Sequence, residues 1–171
     1  ADNAKEQRAR YAESQKIKPH YPARGAGNRD TYFFRSVYVG IDRVINYIAA
    51  MPEWDGKHMV IDGSSQGGGQ AIAAAALDPQ VTLCIAAVPA LSDPPGSFAK
   101  RQPGWPQFYR NTAKRKADPK VVAAADYYDN VFFARRIKCE TWLTTGLFDT
   151  TCSPAGVYVV FNNLAAAKKN L

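Results

Sequence analysis

The run from Met59 to Gln70 constrains this chain more than any other, because it reads as a short apolar strand, a Gly-x-Ser-x-Gly turn and an alanine-rich helix in direct succession. Met59-Val60-Ile61 supplies the strand, Gly63-Ser64-Ser65-Gln66-Gly67 the turn, and Gly68 to Leu77 a helix that Asp78-Pro79 stops. A backbone passing from strand to helix in so few residues must turn tightly. Gly63 and Gly67 are expected to remove the Cβ atoms that would collide there. Such a turn is a nucleophile elbow, strained so as to lift one hydroxyl clear of the sheet. Ser65 is the candidate nucleophile.

Glycine-rich turns between strand and helix also cradle phosphates on exposed backbone N–H groups. The spacing argues against that use here. Gly63, Gly67, Gly68 and Gly69 do not form Gly-x-Gly-x-x-Gly, no Lys-Ser or Lys-Thr pair follows, and no ribose-binding acid sits on a second strand nearby.

With 171 residues, 46% of them hydrophobic, the chain suits one globular domain with a substantial core. No run of about eighteen apolar residues occurs, so no membrane helix is expected, and the charged stretch Ala1 to Lys18 does not read as a secretion signal. The net charge of +7 is spread, with small clusters at Lys114-Arg115-Lys116, Arg135-Arg136 and Lys168-Lys169. Solvated surface accounts for these better than a nucleic-acid partner does, since neither a zinc-ligand spacing nor an aromatic RNA-binding signature appears. Cys84, Cys139 and Cys152 lack any Cys-x-x-Cys spacing and read as buried thiols, which leaves the compartment open.

Ala1 to Arg29 reads as an irregular surface segment with a short helix near Asp2 to Gln15, broken by Pro19, Pro22, Gly25 and Gly27. Helical periodicity then places Phe34, Val37, Tyr38, Ile41, Val44, Ile45 and Ile48 on one stripe ending before Pro52. Val81 to Val88 is a nearly unbroken apolar run, as in a parallel strand covered on both faces. Pro94 to Lys120 predicts an excursion over the surface, anchored by Trp105, Phe108 and Tyr109. Asp126 to Arg136 predicts a helix and Ile137 to Leu147 a third strand. Ser153-Pro154 predicts an N-cap and first turn of a last helix. The order is that of an α/β fold with a parallel sheet.

A serine hydrolase needs a base for the hydroxyl proton and an acid to orient that base, and in α/β-hydrolases the chain order is Ser, acid, His. Asp149, just past the third strand, fits the acid, with Asp129 next in line. The chain holds only His20 and His58. At roughly 3.3 Å per residue along the strand, His58 lies about 20 Å from Ser65. His20 falls in the irregular N-terminal segment, in the wrong chain order. The base is therefore expected beyond Leu171.

Tyr32 to Tyr38, Pro52-Glu53-Trp54-Asp55-Gly56, Gly63-Ser64-Ser65-Gln66-Gly67-Gly68-Gly69-Gln70-Ala71-Ile72-Ala73, Tyr127-Tyr128-Asp129 and Gly146-Leu147-Phe148-Asp149 together resemble the acetyl xylan esterase and cephalosporin-C deacetylase family of carbohydrate esterases. The likeness runs from about Asn28 to Leu164. It departs at Lys138-Cys139-Glu140, where the family's usual proline is missing. The resemblance implies an α/β-hydrolase-type parallel sheet with flanking helices, incomplete at both ends, in one partial domain spanning 1–171. By the same likeness Ser65 is nucleophile, Asp149 acid and the Gln66 N–H one oxyanion donor, acting without metal or cofactor on acetylated xylan or xylo-oligosaccharides. Family members are often ring-like oligomers, so a homo-oligomer is implied, with no membrane or nucleic-acid partner. Two alternatives stay open: a peptidase or thioesterase on the same fold, and a non-catalytic binding module.

Overall fold

The apolar runs form four parallel strands, β1 (Val60–Ser64), β2 (Leu83–Ala87), β3 (Glu140–Thr144) and β4 (Lys169–Asn170), hydrogen-bonded in that order. This computed structural model describes residues 2–107 and 117–171. Phe108, Tyr109 and Lys114-Arg115-Lys116 lie outside the described residues. The register aligns Ser64 with Ala87 and Ala87 with Thr144, so three strands end level at one edge. The short β4 pairs Thr141 with Lys169 and Trp142 with Asn170; its two polar residues carry no strand pattern, and the sequence reading had no place for it.

Helices α2 (Phe33–Ala49), α3 (Gln66–Leu77), α5 (Asn130–Ala134) and α6 (Pro154–Asn163) share one core with the sheet. Ile45, Ile72, Val131, Val157 and Val160 meet Cys84, Ala86 and Leu143 there. Each large aliphatic side chain so buried contributes about 1.5–3 kcal/mol. The run expected to be covered on both faces, β2, has no exposed residue: Cys84 and Ala86 are buried on one face and Leu83, Ile85 and Ala87 are half-buried on the other. Successive strand residues point to opposite faces, and the register puts Val60 and Trp142 on the face away from this core, where they are 56% and 44% exposed.

A second cluster joins Tyr32, Phe34 and Tyr38 to Leu91 and Tyr128, with Trp105 packed against it. Trp105 is thus an anchor of the excursion, as expected. The single helix expected over Asp126 to Arg136 is instead split. Asp118 caps α4 (Pro119–Ala125), accepting from the Lys120 N–H, and a 3-10 turn spans Asp126–Tyr128. Asp129, in extended backbone, then caps α5 by accepting from the Val131 N–H. The Asp129 cap competes with helix continuation and wins, because it satisfies an otherwise orphaned donor. Ser153 precedes Pro154 at the N-cap position of α6, but its side chain makes no capping bond.

The helix expected near Asp2 to Gln15 is α1 (Asp2–Lys16), and between it and α2 only a 3-10 turn at Tyr21–Ala23 interrupts the irregular backbone. Exposed pairs Arg10–Glu6 at 2.6 Å and Lys16–Glu13 at 2.8 Å lie along α1. Such pairs add only a few tenths of a kcal/mol each.

Helix α3 crosses the segment after β2 so closely that a Cβ on Gly69 would sit 2.6 Å from the Ala90 carbonyl oxygen. Gly69→Ala should therefore destabilise the fold by about 1–3 kcal/mol, as overpacking does. The readout is a lower denaturant midpoint at constant m-value; an unchanged midpoint would refute the close approach.

Candidate active site

Ser65 stands between β1 and α3 with φ 54° and ψ −116°, a backbone conformation rare for a residue with a side chain. Its neighbours enforce it. The Ser65 N–H donates to Ala87 O at 2.9 Å, and its carbonyl accepts from Gly69 N at 3.1 Å and Ala90 N at 2.9 Å. Strain of about 1–3 kcal/mol persists where surroundings over-determine it in this way. A Cβ on Gly63 would lie 2.3 Å from the Gly67 carbonyl oxygen, so only glycine fits there. The matching expectation for Gly67 is not met, since a Cβ there would meet nothing within 4 Å.

The side chain of Ser65 is solvent-exposed. Gln66 opens α3, and a first-turn amide has no intrahelical acceptor, so its N–H is free to meet an oxyanion.

Strands β1 and β3 are separated by β2, about 10 Å at two strand spacings. The loop after β3 closes that gap. Asp149 accepts at one carboxylate oxygen from Thr151 N and Cys152 N, both at 2.8 Å, which folds the loop back until Cys152 Sγ is 3.6 Å from Ser65 Oγ. The predicted nucleophile and acid loop are thus brought together.

The two histidines are engaged elsewhere. His58 Nδ1 lies 2.5 Å from Asp55 Oδ2 before the start of β1, and this hydrogen bond holds the Asp55 carboxyl at about 2. His20 Nε2 lies 2.5 Å from Lys18 Nζ. Neither is hydrogen-bonded to Ser65 or Asp149 among the described residues.

Burial raises all three thiols, Cys84 to about 12, so none is disposed to act as a thiolate nucleophile. For Cys152 the nearby Asp149 charge pushes the same way, against the Ser65 hydrogen bond. All three cysteines are free. Among the described residues no group of three His, Cys, Asp or Glu side chains could hold a metal, and no helix is long and apolar enough to cross a membrane.

Two residues at the site escaped sequence reasoning. Cys152 was assigned only to a buried role, although an aspartate followed by Thr-Thr-Cys can form a tight turn on its own carboxylate. Tyr21 bonds the Gln66 side chain at 2.8 Å, across 45 positions, and no local pattern signals that.

Asp129 lies in the loop support. Its buried carboxylate accepts from Asp93 N at 3.0 Å and Val131 N at 3.0 Å, while Asn130 N donates to Leu91 O at 2.9 Å. Together these hold the backbone that follows β2, where Val88, Leu91 and Asp93 have positive φ. Asp93 in turn grips Arg101 at 2.8 and 3.0 Å, tying down the excursion.

Comparison with known proteins agrees with this geometry. The family described as acetyl xylan esterase (AXE1) matches residues 2–171. The acetyl esterase Axe7A of Xylanibacter ruminicola is 42% identical over 151 residues, 88% of this chain and 34% of that protein. The structure of an acetyl xylan esterase from Paenibacillus sp. R4 superposes with TM-score 0.78 at 28% identity, over 90% of this chain and 50% of the other. Acetyl xylan esterase 1 from Thermoanaerobacterium gives TM-score 0.71 at 28% identity, over 82% and 46%. The sheet and its helices are an α/β-hydrolase fold, and the chain spans half or less of the length of these relatives.

Asp129 makes the loop support testable by pH. Burial first, then the Asp93 and Asp126 charges, raise its carboxyl to about 7, against the two backbone N–H bonds that lower it. Because the folded value lies above the unfolded value of about 3.9, the folded state holds the extra proton. Stability from this group is full below about pH 4 and lost as pH rises through about 7. Asp129→Asn keeps the acceptor oxygen and removes the titration. Urea unfolding across pH 4 to 8 should show wild type losing ground to the variant as pH rises; parallel profiles would refute the shift.

Proposed function

The chain belongs to the acetyl xylan esterase family, and from that premise we propose that the protein is a serine esterase removing acetyl groups from acetylated xylan or xylo-oligosaccharides. Residues 1–171 form part of its single hydrolase domain. The observation that carries this reading is the approach of the Asp149 loop to Ser65, with Cys152 Sγ 3.6 Å from the serine oxygen. An acid loop folded onto an elbow serine is the arrangement a triad requires.

In this mechanism Ser65 Oγ attacks the ester carbonyl and its proton passes to a histidine contributed from beyond Leu171. One oxygen of Asp149 orients that imidazole, while its other oxygen stays bound to the Thr151 and Cys152 amides. The oxyanion is met by the Gln66 N–H, aided by the positive end of α3 and by a second donor from outside these residues. The sugar alcohol leaves with the proton, and water then releases acetate from the acetyl-enzyme.

A peptidase or thioesterase would use the same residues, since the elbow sets the mechanism and leaves the acyl and leaving groups open. A non-catalytic binding module draws its support from the engagement of both histidines away from Ser65.

In the full-length protein, Ser65→Ala should abolish deacetylation and labelling by a fluorophosphonate while the unfolding midpoint stays near wild type. Wild-type protein that fails to label would favour the binding module. Asp149→Asn should cost about ten-thousandfold in kcat, the loss expected from the wrong imidazole tautomer. A loss of only a few-fold would move the acid role elsewhere, and faster turnover of peptides or thioesters than of acetylated sugars would replace the substrate.

A further inference from the structure

Tyr21 is separated from the nucleophile turn by the whole of α2 and β1 in sequence, yet its ring stands beside that turn. Its hydroxyl donates to Gln66 Oε1 at 2.8 Å. The ring meets Phe33 edge-on, with centroids 5.2 Å apart and planes at 62°, and leans on Trp105 at 6.2 Å. Trp105 continues the contact to the other side of the site. It packs on Phe34 at 6.0 Å, and its backbone N–H donates to Thr151 O at 2.7 Å, within the loop that carries Asp149.

The ring is held at its tip by a hydrogen bond and along its edges by two aromatic neighbours, but 36% of the residue remains exposed. Ser65, next to Gln66, is also open to solvent. An anchored aromatic ring offers apolar area with little rotational freedom left to lose when a ligand packs on it. The acetyl group is too small to need such a surface, whereas the C–H face of a pyranose matches it in size and polarity.

We propose that Tyr21, backed by Trp105, is a specificity-determining residue that holds the sugar carrying the acetyl group, on the leaving-alcohol side of the ester. The inference rests on the acetyl-esterase reading above. Tyr21 takes no part in proton transfer. Its hydroxyl bonds the Gln66 side-chain amide, while Phe33 and Trp105 hold the ring beside the turn whose Gln66 N–H serves the oxyanion.

The test compares kcat/KM for an acetylated xylo-oligosaccharide and for ethyl acetate in the full-length protein. Tyr21→Ala should lower the value for the oligosaccharide about tenfold, mostly through KM, which is about 1.4 kcal/mol and the size of one good aromatic contact. The fall for ethyl acetate should be at least fivefold smaller, by order of magnitude, because that alcohol has no ring face to pack. Tyr21→Phe keeps the ring and should hold the ratio of the two values within about twofold of wild type. Tyr21→Leu, which keeps apolar bulk against Phe33, should lose the ratio as Ala does. Equal losses on both esters would show that Tyr21 acts through the turn itself and would overturn the proposal, as would no loss on either. Wild type that cleaves ethyl acetate but not the oligosaccharide would overturn the sugar assignment and spare the serine chemistry. Wild type that cleaves neither would overturn the esterase reading and this inference together.

Discussion

The crossing of two backbones at Gly63 is the constraint on which the rest of this structure depends. The carbonyl of Gly67 occupies the space a side chain at 63 would need, so β1 can pass directly into α3. That passage sets the unusual φ of Ser65, and hydrogen bonds to Ala87, Gly69 and Ala90 hold it there. Strand β2 is therefore part of the serine's support as well as its neighbour in the sheet. Any change that moves the end of β2 would move Ser65, although the two lie in different elements.

The remaining parts of the site are loops, and they are tied to one another more than to the sheet. Asp129 and Asn130 hold the backbone after β2, whose Ala90 amide holds Ser65 and whose Leu91 amide holds Trp105. Trp105 reaches the Asp149 loop through Thr151, and Gln102 and Gln107 reach it through Thr150. The excursion from Pro94 is thus less an ornament on the surface than a brace between the two halves of the site. The ion pair of Asp93 with Arg101 fixes its first turn.

Features set by short-range rules were legible in the sequence. The elbow, the alternation of apolar runs with helical stripes and the placement of Asp149 after β3 all follow from spacing and turn chemistry, and the same motifs carried the family likeness. What escaped was decided at long range or by competition. Tyr21 reaches Gln66 only because α2 and β1 fold back past it. The split of the helix around Asp129 came from a cap that outcompeted helix continuation. Cys152 is buried as expected, but its place against Ser65 follows from the way the Asp149 carboxylate curls its own loop. The apolarity of β2 marked an interior strand but carried no information on its neighbours, where Val60 and Trp142 are exposed.

The way Asp149 is held has an operational consequence. One of its oxygens accepts from two amides of its own loop, so the direction of the other is set by the short turn from Asp149 to Cys152. Local openings of such loops cost less than global unfolding. Storage life and structural integrity should then be separate quantities for this protein: warming would first loosen the Asp149 carboxylate reversibly, while the sheet still gives its full spectroscopic signal.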